Sequence, residues 1–81
     1  MNHIFMGVHH AGDNIYDYSG IWTRSSRGIE WKAIVMHADV VGRPRGVITQ
    51  EPGGTDEDVA AHIMRIIEDG IDALRNRPSG A

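Results

Sequence analysis

Histidine is the residue type in this sequence that most readily does chemistry, because imidazole binds metal ions and exchanges protons near neutral pH. His9 and His10 are adjacent, and Asp13 follows them. Neighbouring residues of a strand point in opposite directions, whereas a metal site needs three or four converging ligands. His62 lacks the second histidine of an H-E-x-x-H motif. We expect no metal site; a metal-dependent enzyme using His9, His10 and His37 is the least favoured alternative.

Two other stretches resemble catalytic or phosphate-binding motifs. Ser25-Ser26 contains two hydroxyl groups, but no G-x-S-x-G elbow surrounds them, and a turn is the better interpretation. Gly53-Gly54-Thr55 precedes a predicted helix, and helix N-termini attract anions. The acids at positions 56–58 would repel a phosphate there, and the lysine of a P-loop is absent. We therefore expect no catalytic residue and no cofactor.

The basic residues are the strongest candidates for a contact surface. Arg24 and Arg27 flank one predicted turn. Arg43 and Arg45 flank a second, and Lys32 lies on the strand between the two turns. Because successive hairpins of a meander emerge at opposite ends of the sheet, we expect these charges to spread along it without forming one tight patch.

Aromatic residues accompany these charges, which suggests a way to contact nucleic acid. Trp22, Trp31, Tyr16 and Tyr18 fall on the same predicted strands, and a polar sheet face with aromatic rings can stack the bases of a single strand. The net charge of −3, from 8 basic and 11 acidic residues, argues against a dedicated nucleic-acid binder. Nucleic-acid contact is therefore the second interpretation of the five cations.

The length and composition limit the possible classes further. A chain of 81 residues forms one small domain with a modest core. There is no cysteine, which excludes disulfides, thiolate nucleophiles and cysteine-type zinc sites. No apolar run approaches the roughly 18–20 residues of a membrane span, and the N-terminus does not have the pattern of a signal peptide. We expect a cytoplasmic protein that does not contact membranes.

One helix and three strands are predicted to position the candidate residues. Thr55 is a good N-cap for a helix that runs to Arg75, and Asp58 lies where a capping-box acid would lie. Upstream the apolar period changes to two. Segments 16–24, 30–38 and 46–50 are the predicted strands, with turns at 25–28 and 42–45.

The order of these elements predicts an α+β fold, a three-stranded antiparallel meander with a long C-terminal helix packed on one face (β-β-β-α). Residues 1–14 form either an extra N-terminal strand or a partly flexible arm, residues 15–76 the single domain, and residues 77–81 a disordered tail. The predicted core consists of Tyr18, Ile21, Trp22, Trp31, Ala33, Val35, Val47, Val59, Ile63, Ile66, Ile67, Ile71 and Leu74.

Four short motifs give the chain a family resemblance. They are Tyr18-x-Gly20, Trp31-x-Ala33-x-Val35, Thr55-x-Glu57-x-x-Ala60 and Gly70-Ile71-Asp72. Over roughly residues 16–74 this pattern resembles a group of small bacterial β-β-β-α proteins of unknown function. The resemblance implies a fold and no particular activity. The topology is also similar to the antitoxin half of HicA–HicB-type systems and to part of double-stranded-RNA-binding domains, as fold analogies only.

The sequence therefore predicts a non-enzymatic interaction module. An open sheet edge on a small domain offers a surface for a homodimer or for another protein. The alternative is a weak nucleic-acid-binding or antitoxin-like regulatory protein. The candidate contact residues in either case are Arg24, Arg27, Lys32, Arg43 and Arg45.

Overall fold

The computed structural model describes residues 2–50 and 54–75, which form an antiparallel sheet followed by one helix. The elements in chain order are β1 (His3–Ala11), β2 (Asn14–Ser25), β3 (Gly28–His37), β4 (Asp39–Gly42), β5 (Arg45–Ile48) and α1 (Asp56–Arg75). The predicted α+β class with a helix after the strands is confirmed. The tail predicted at 77–81 and the Gly53 of the phosphate-like motif lie outside the described residues.

Residues His3–Ala11 form an edge strand, the first of the two alternatives for the N-terminal segment. β1 pairs with β2 along its whole length, from His3 opposite Trp22 to Ala11 opposite Asn14. β2 then pairs with β3 through the tight loop Ser26–Arg27, where the Ser25 hydroxyl accepts a hydrogen bond from the amide of Arg27. The predicted turn at 25–28 is confirmed.

The predicted turn at 42–45 is wrong. The chain reverses instead at Ala38, which has a φ of 66° and lies between the paired residues His37 and Asp39. After this reversal the chain stays beside β3: Gly42 is opposite Val35 and Arg45 is opposite Lys32, with one bulge before Gly42. β4 and β5 are thus two parts of a single edge strand.

Pro44 interrupts this edge strand without turning it. Its carbonyl accepts a 2.9 Å hydrogen bond from the amide of Ala33. Proline has no N–H to return a bond, and an edge strand, where a proline can be accommodated, is the usual place for it in a sheet. The consequence is that Arg43 and Arg45 lie along a strand and not at a hairpin tip.

One face of the sheet packs against α1 and forms the core. The twelve buried hydrophobic residues are Phe5, Ala11, Tyr18, Trp22, Ile29, Trp31, Ala33, Val35, Val59, Ile63, Ile67 and Ile71. On β3 the odd-numbered residues face the helix, as the two-residue period predicts. We call this the covered face; the opposite face, which carries residues such as Met6, Ser19 and Ile34, is the uncovered face.

Four residues of the predicted core are not buried, and three buried residues were not predicted. Ile21 and Val47 lie on the uncovered face, since their neighbours Trp22 and Gly46 occupy the covered one. Ile66 and Leu74 are exposed on α1. Phe5, Ala11 and Ile29 complete the core because β1 and the start of β3 extend the sheet beyond the predicted segments.

The start of α1 has the predicted cap. The Thr55 hydroxyl accepts a 3.1 Å hydrogen bond from the amide of Asp58, and the Asp58 carboxylate accepts one from the amide of Gly54. Asp56, Glu57 and Asp58 fill the first turn, where negative charge favours the helix dipole. Among the described residues, no helix is both long enough and apolar enough to cross a membrane.

Candidate functional site

The uncovered face carries an extended apolar surface. No described element packs on it. Its cross-strand rows combine large hydrophobic side chains with polar ones: Met6, Ser19 and Ile34 form one row, and Val8, Asp17 and Met36 form the next. The exposed apolar members are Ile4, Met6, Val8, Ile15, Ile34, Met36, Val40 and Val47.

The exposure of this surface increases towards β1. Ile4 is 76% exposed, Met6 70% and Val8 54%, whereas Ile34 on the inner strand β3 is 40% exposed. Eight exposed apolar side chains on one face differ from the singly scattered hydrophobic residues that are normal on a protein surface. Exposed apolar clusters of this kind mark interaction sites.

Three of the five candidate cations meet on this face. Lys32 lies directly opposite Arg45, and Arg43 lies on the same edge strand, two residues before Arg45. None of these three side chains forms an ion pair with another described residue. With Ser19, Ile21 and Ile34 they line a shallow depression of about 600 Å³.

Arg24 lies apart from this cluster, whereas Arg27 lines a neighbouring depression of about 750 Å³ together with Lys32 and Arg45. The prediction that the five charges spread along the sheet without forming a patch is therefore wrong. Arg24 is on the covered face, where its guanidinium stacks over Trp22 at 5.0 Å from the ring centroid and donates a 2.9 Å hydrogen bond to Asp56. Arg27 lies in the loop between β2 and β3. Because the predicted 42–45 turn does not exist, Arg43 and Arg45 approach Lys32 instead of standing at an opposite end.

The aromatic rings do not accompany the three clustered cations. Trp22, Trp31 and Tyr18 are buried on the covered face, and Tyr16 packs at the border of the core. Among the described residues of the strands, the uncovered face has no Trp, Tyr or Phe side chain. The predicted stacking of nucleic-acid bases on this sheet therefore lacks its aromatic platform.

The histidines serve different contacts. His9 and His10 face opposite sides of β1, as predicted, and His9 lies against α1 with its Nε2 2.8 Å from Oδ1 of Asp72. His37 has its Nδ1 3.0 Å from the carbonyl oxygen of Ile15. His3 stacks on Trp22 with a centroid separation of 4.1 Å. No group of three or more histidine, aspartate or glutamate side chains among the described residues has the arrangement of a metal site.

A cluster of ionisable groups joins β1 and β2 to α1. The Tyr18 hydroxyl donates a 2.5 Å hydrogen bond to Oε2 of Glu68, whose other oxygen lies 3.8 Å from Nδ1 of His9. Burial, followed by the hydrogen bond and charge of Glu68, raises the pKa of Tyr18 well above its usual value of 10. The cluster is directed inward at the seam between sheet and helix, and sequence spacing gives no sign of it because its members are about 50–60 residues apart.

No protein-family model, curated protein or solved structure matches this chain.

Proposed function

We propose that this chain is a non-enzymatic association module that binds a second copy of itself through the exposed apolar side chains of its sheet. The observation that carries the proposal is the exposure of Ile4, Met6 and Val8 on the outermost strand, on the same face as the exposed apolar side chains of β3. Leaving this surface in water is unfavourable by about 25 cal/mol for each Å² that association could remove.

A self-association site needs apolar side chains that a second copy can cover, and the sheet exposes such side chains most on β1. A two-fold contact places the same patch on both chains. The exposed apolar residues of one copy then meet those of the other, while Lys32, Arg43 and Arg45 lie towards the edge opposite β1 and stay in solvent.

The proposal assigns the chain no catalytic residue, cofactor or metal ion. It also keeps two expectations that the sequence raises: membership of the small bacterial β-β-β-α proteins, and a cytoplasmic location. The absence of cysteine is compatible with a reducing compartment.

Sedimentation velocity of two charge-introducing variants tests the proposal. Met6→Glu puts a carboxylate in the most exposed part of the uncovered face, and Leu74→Glu puts one on an exposed apolar residue of α1. We expect Met6→Glu to sediment as a monomer at concentrations where the unmodified chain and Leu74→Glu sediment as dimers. Equal association of all three chains would overturn the proposal, and circular dichroism checks that each variant is folded.

Nucleic-acid contact is the second candidate, since Lys32, Arg43 and Arg45 form a cationic cluster that makes no ion pair with another described residue. Three phosphate contacts would give weak binding whose log–log salt slope is no steeper than about −3. A gel shift with single-stranded RNA and DNA at about 50 mM salt tests it. Binding that the triple alanine variant of these residues loses would support this function, and no shift would remove it.

A further inference from the structure

The free edge of β1 lacks the features that usually protect an edge strand. β1 has nine residues, pairs with β2 in an unbroken register and contains no proline, lysine or bulge. Among the described residues, no strand pairs with its other side. Long, regular and apolar edges are those that pair with another chain.

The hydrogen-bonding groups on this edge follow from the sheet register. Ala33 donates to Pro44, so the main-chain groups of odd-numbered β3 residues point to the outer edge strand and those of even-numbered residues point to β2. Lys32 therefore directs its main-chain groups to its partner Ile21 on β2, and those of Ile21 point back to β3. Because Ile21 points to β3, its partner Ile4 on β1 has no main-chain bond to it and directs its groups away from β2. The amides and carbonyls of Ile4, Met6, Val8 and His10 therefore point away from β2, towards the free edge.

We propose that two copies join edge to edge, with β1 antiparallel to β1 of the second copy and the two-fold axis at Met6. This inference rests on the proposed self-association and names the strand that carries it. In this register Met6 lies opposite Met6 of the second copy, and Ile4 opposite Val8. All three exposed apolar residues of β1 then meet apolar residues, and cross-strand pairs of this kind stabilise sheets.

The neighbouring register, with the axis at Gly7, fits less well. It places Ile4 opposite His10, so that an apolar side chain meets a polar one on the uncovered face. On the covered face neither register gains a pair of this kind, because Phe5 already lies over Gly20 and Tyr18 over Gly7 within each copy.

The acidic residues of α1 that contact β1 have partners within each copy. Glu68 and Asp72 contact Tyr18 and His9, and Asp56 contacts His3 and Arg24. Pairing of the two edges would form one continuous sheet with both helices on the same side.

Disulfide cross-linking of the full chain tests the register, and the absence of native cysteine makes every introduced thiol unambiguous. Residues directly opposite in a hydrogen-bonded antiparallel pair have Cα atoms about 5.5 Å apart, within the range that a disulfide spans. With the axis at Met6, two Met6→Cys chains satisfy this distance. With the axis at Gly7, the same two thiols belong to residues about 8–9 Å apart, which is too far.

We expect mild oxidation to convert most of the Met6→Cys chain to a covalent dimer. Ile4→Cys alone is the matched control: its two copies would be four residues out of register, about 13 Å apart, and should yield only traces of dimer. The double variant Ile4→Cys, Val8→Cys should form the covalent dimer, because position 4 of one copy lies opposite position 8 of the other. Ile34→Cys, at the centre of the uncovered face, should not.

The outcomes separate this inference from the proposed function. A chain that sediments as a dimer but whose Met6→Cys variant does not cross-link would overturn the β1 pairing and leave self-association standing, and a cross-link at Ile34→Cys would then locate the contact on the face. A chain that is monomeric by sedimentation would overturn both. Cross-linking of Met6→Cys and of the double variant, without cross-linking of Ile4→Cys, supports the register.

Discussion

Gly20 is the residue whose replacement tests the packing of the sheet most severely. It lies in β2 on the covered face, opposite Phe5 on β1 and Ala33 on β3. A methyl group on its Cα would collide with the main-chain oxygen of Lys32 and lie 2.7 Å from Cζ of Phe5 and 2.8 Å from Cβ of Ala33. The Phe5 ring can move, but the Lys32 oxygen belongs to the central ladder of the sheet.

The magnitude follows from which groups must move. Overpacking of a tight site costs about 1–3 kcal/mol, and collision with the main chain places Gly20→Ala at the upper end. Loss of glycine's freedom in the unfolded chain offsets about 0.4–1 kcal/mol of that cost. We expect a net destabilisation of about 2 kcal/mol, out of a total of about 4–12 kcal/mol for a chain of this length. The melting temperature should fall by about 8–16 °C.

Urea denaturation followed by tryptophan fluorescence measures this change, since Trp22 and Trp31 are both buried in the core. Gly70→Ala is the matched control: it makes the same chemical change inside α1, where an added methyl group meets nothing within 4 Å. This control should gain about 0.5–1 kcal/mol from helix propensity alone. If Gly20→Ala lies within about 0.5 kcal/mol of the unmodified chain, a change typical of an unconstrained surface position, then the close approach of Phe5 and Lys32 to Gly20 is incorrect.

Three further substitutions test separate features by denaturant titration. Ala38→Gly should stabilise the fold by about 0.5–1 kcal/mol, because the positive φ at this reversal strains any residue that has a Cβ; destabilisation would contradict the reversal. Thr55→Ala should cost about 1 kcal/mol by removing the cap of α1, and no loss would contradict the cap. Tyr18→Phe should cost about 1–3 kcal/mol at pH 8 by removing the hydrogen bond to Glu68. Because folding raises the pKa of Tyr18 above its usual value of 10, this contribution is present below pH 10 and is lost as the pH rises beyond it. The stabilities of the two chains should therefore converge in alkali, and a constant difference would contradict the raised pKa.

Local sequence signals predict the helix and the inner strands correctly because the responsible interactions are local. The cap of α1 uses Thr55 and Asp58, three residues apart, and the alternation along β3 assigns Trp31 and Val35 to one face. In both cases the residues that specify the element lie within it and are close together in the sequence.

The edge strand is where sequence reasoning fails, and the reason is physical. Gly42 and Pro44 are typical turn residues, whereas the actual reversal uses Ala38, a residue with no preference for positive φ. Pairing with β3 outweighs these local preferences, as the bond from Ala33 to Pro44 shows. Because the turn is predicted in the wrong place, the sequence does not predict that Arg43 and Arg45 lie near Lys32.

The uncovered face also depends on long-range information. The exposure of Ile34 and Met36 follows from the number of covering elements: one helix covers only one face of the sheet among the described residues. A two-residue period places these side chains on a common face but does not tell whether another chain covers it. That question belongs to the assembly.

Sedimentation equilibrium of the unmodified chain, from micromolar to several hundred micromolar concentration, tests self-association most directly. The proposal predicts a reversible monomer–dimer equilibrium in which the mass rises from the 8.9 kDa of one chain to twice that value. A mass that stays at 8.9 kDa across the whole range would contradict it.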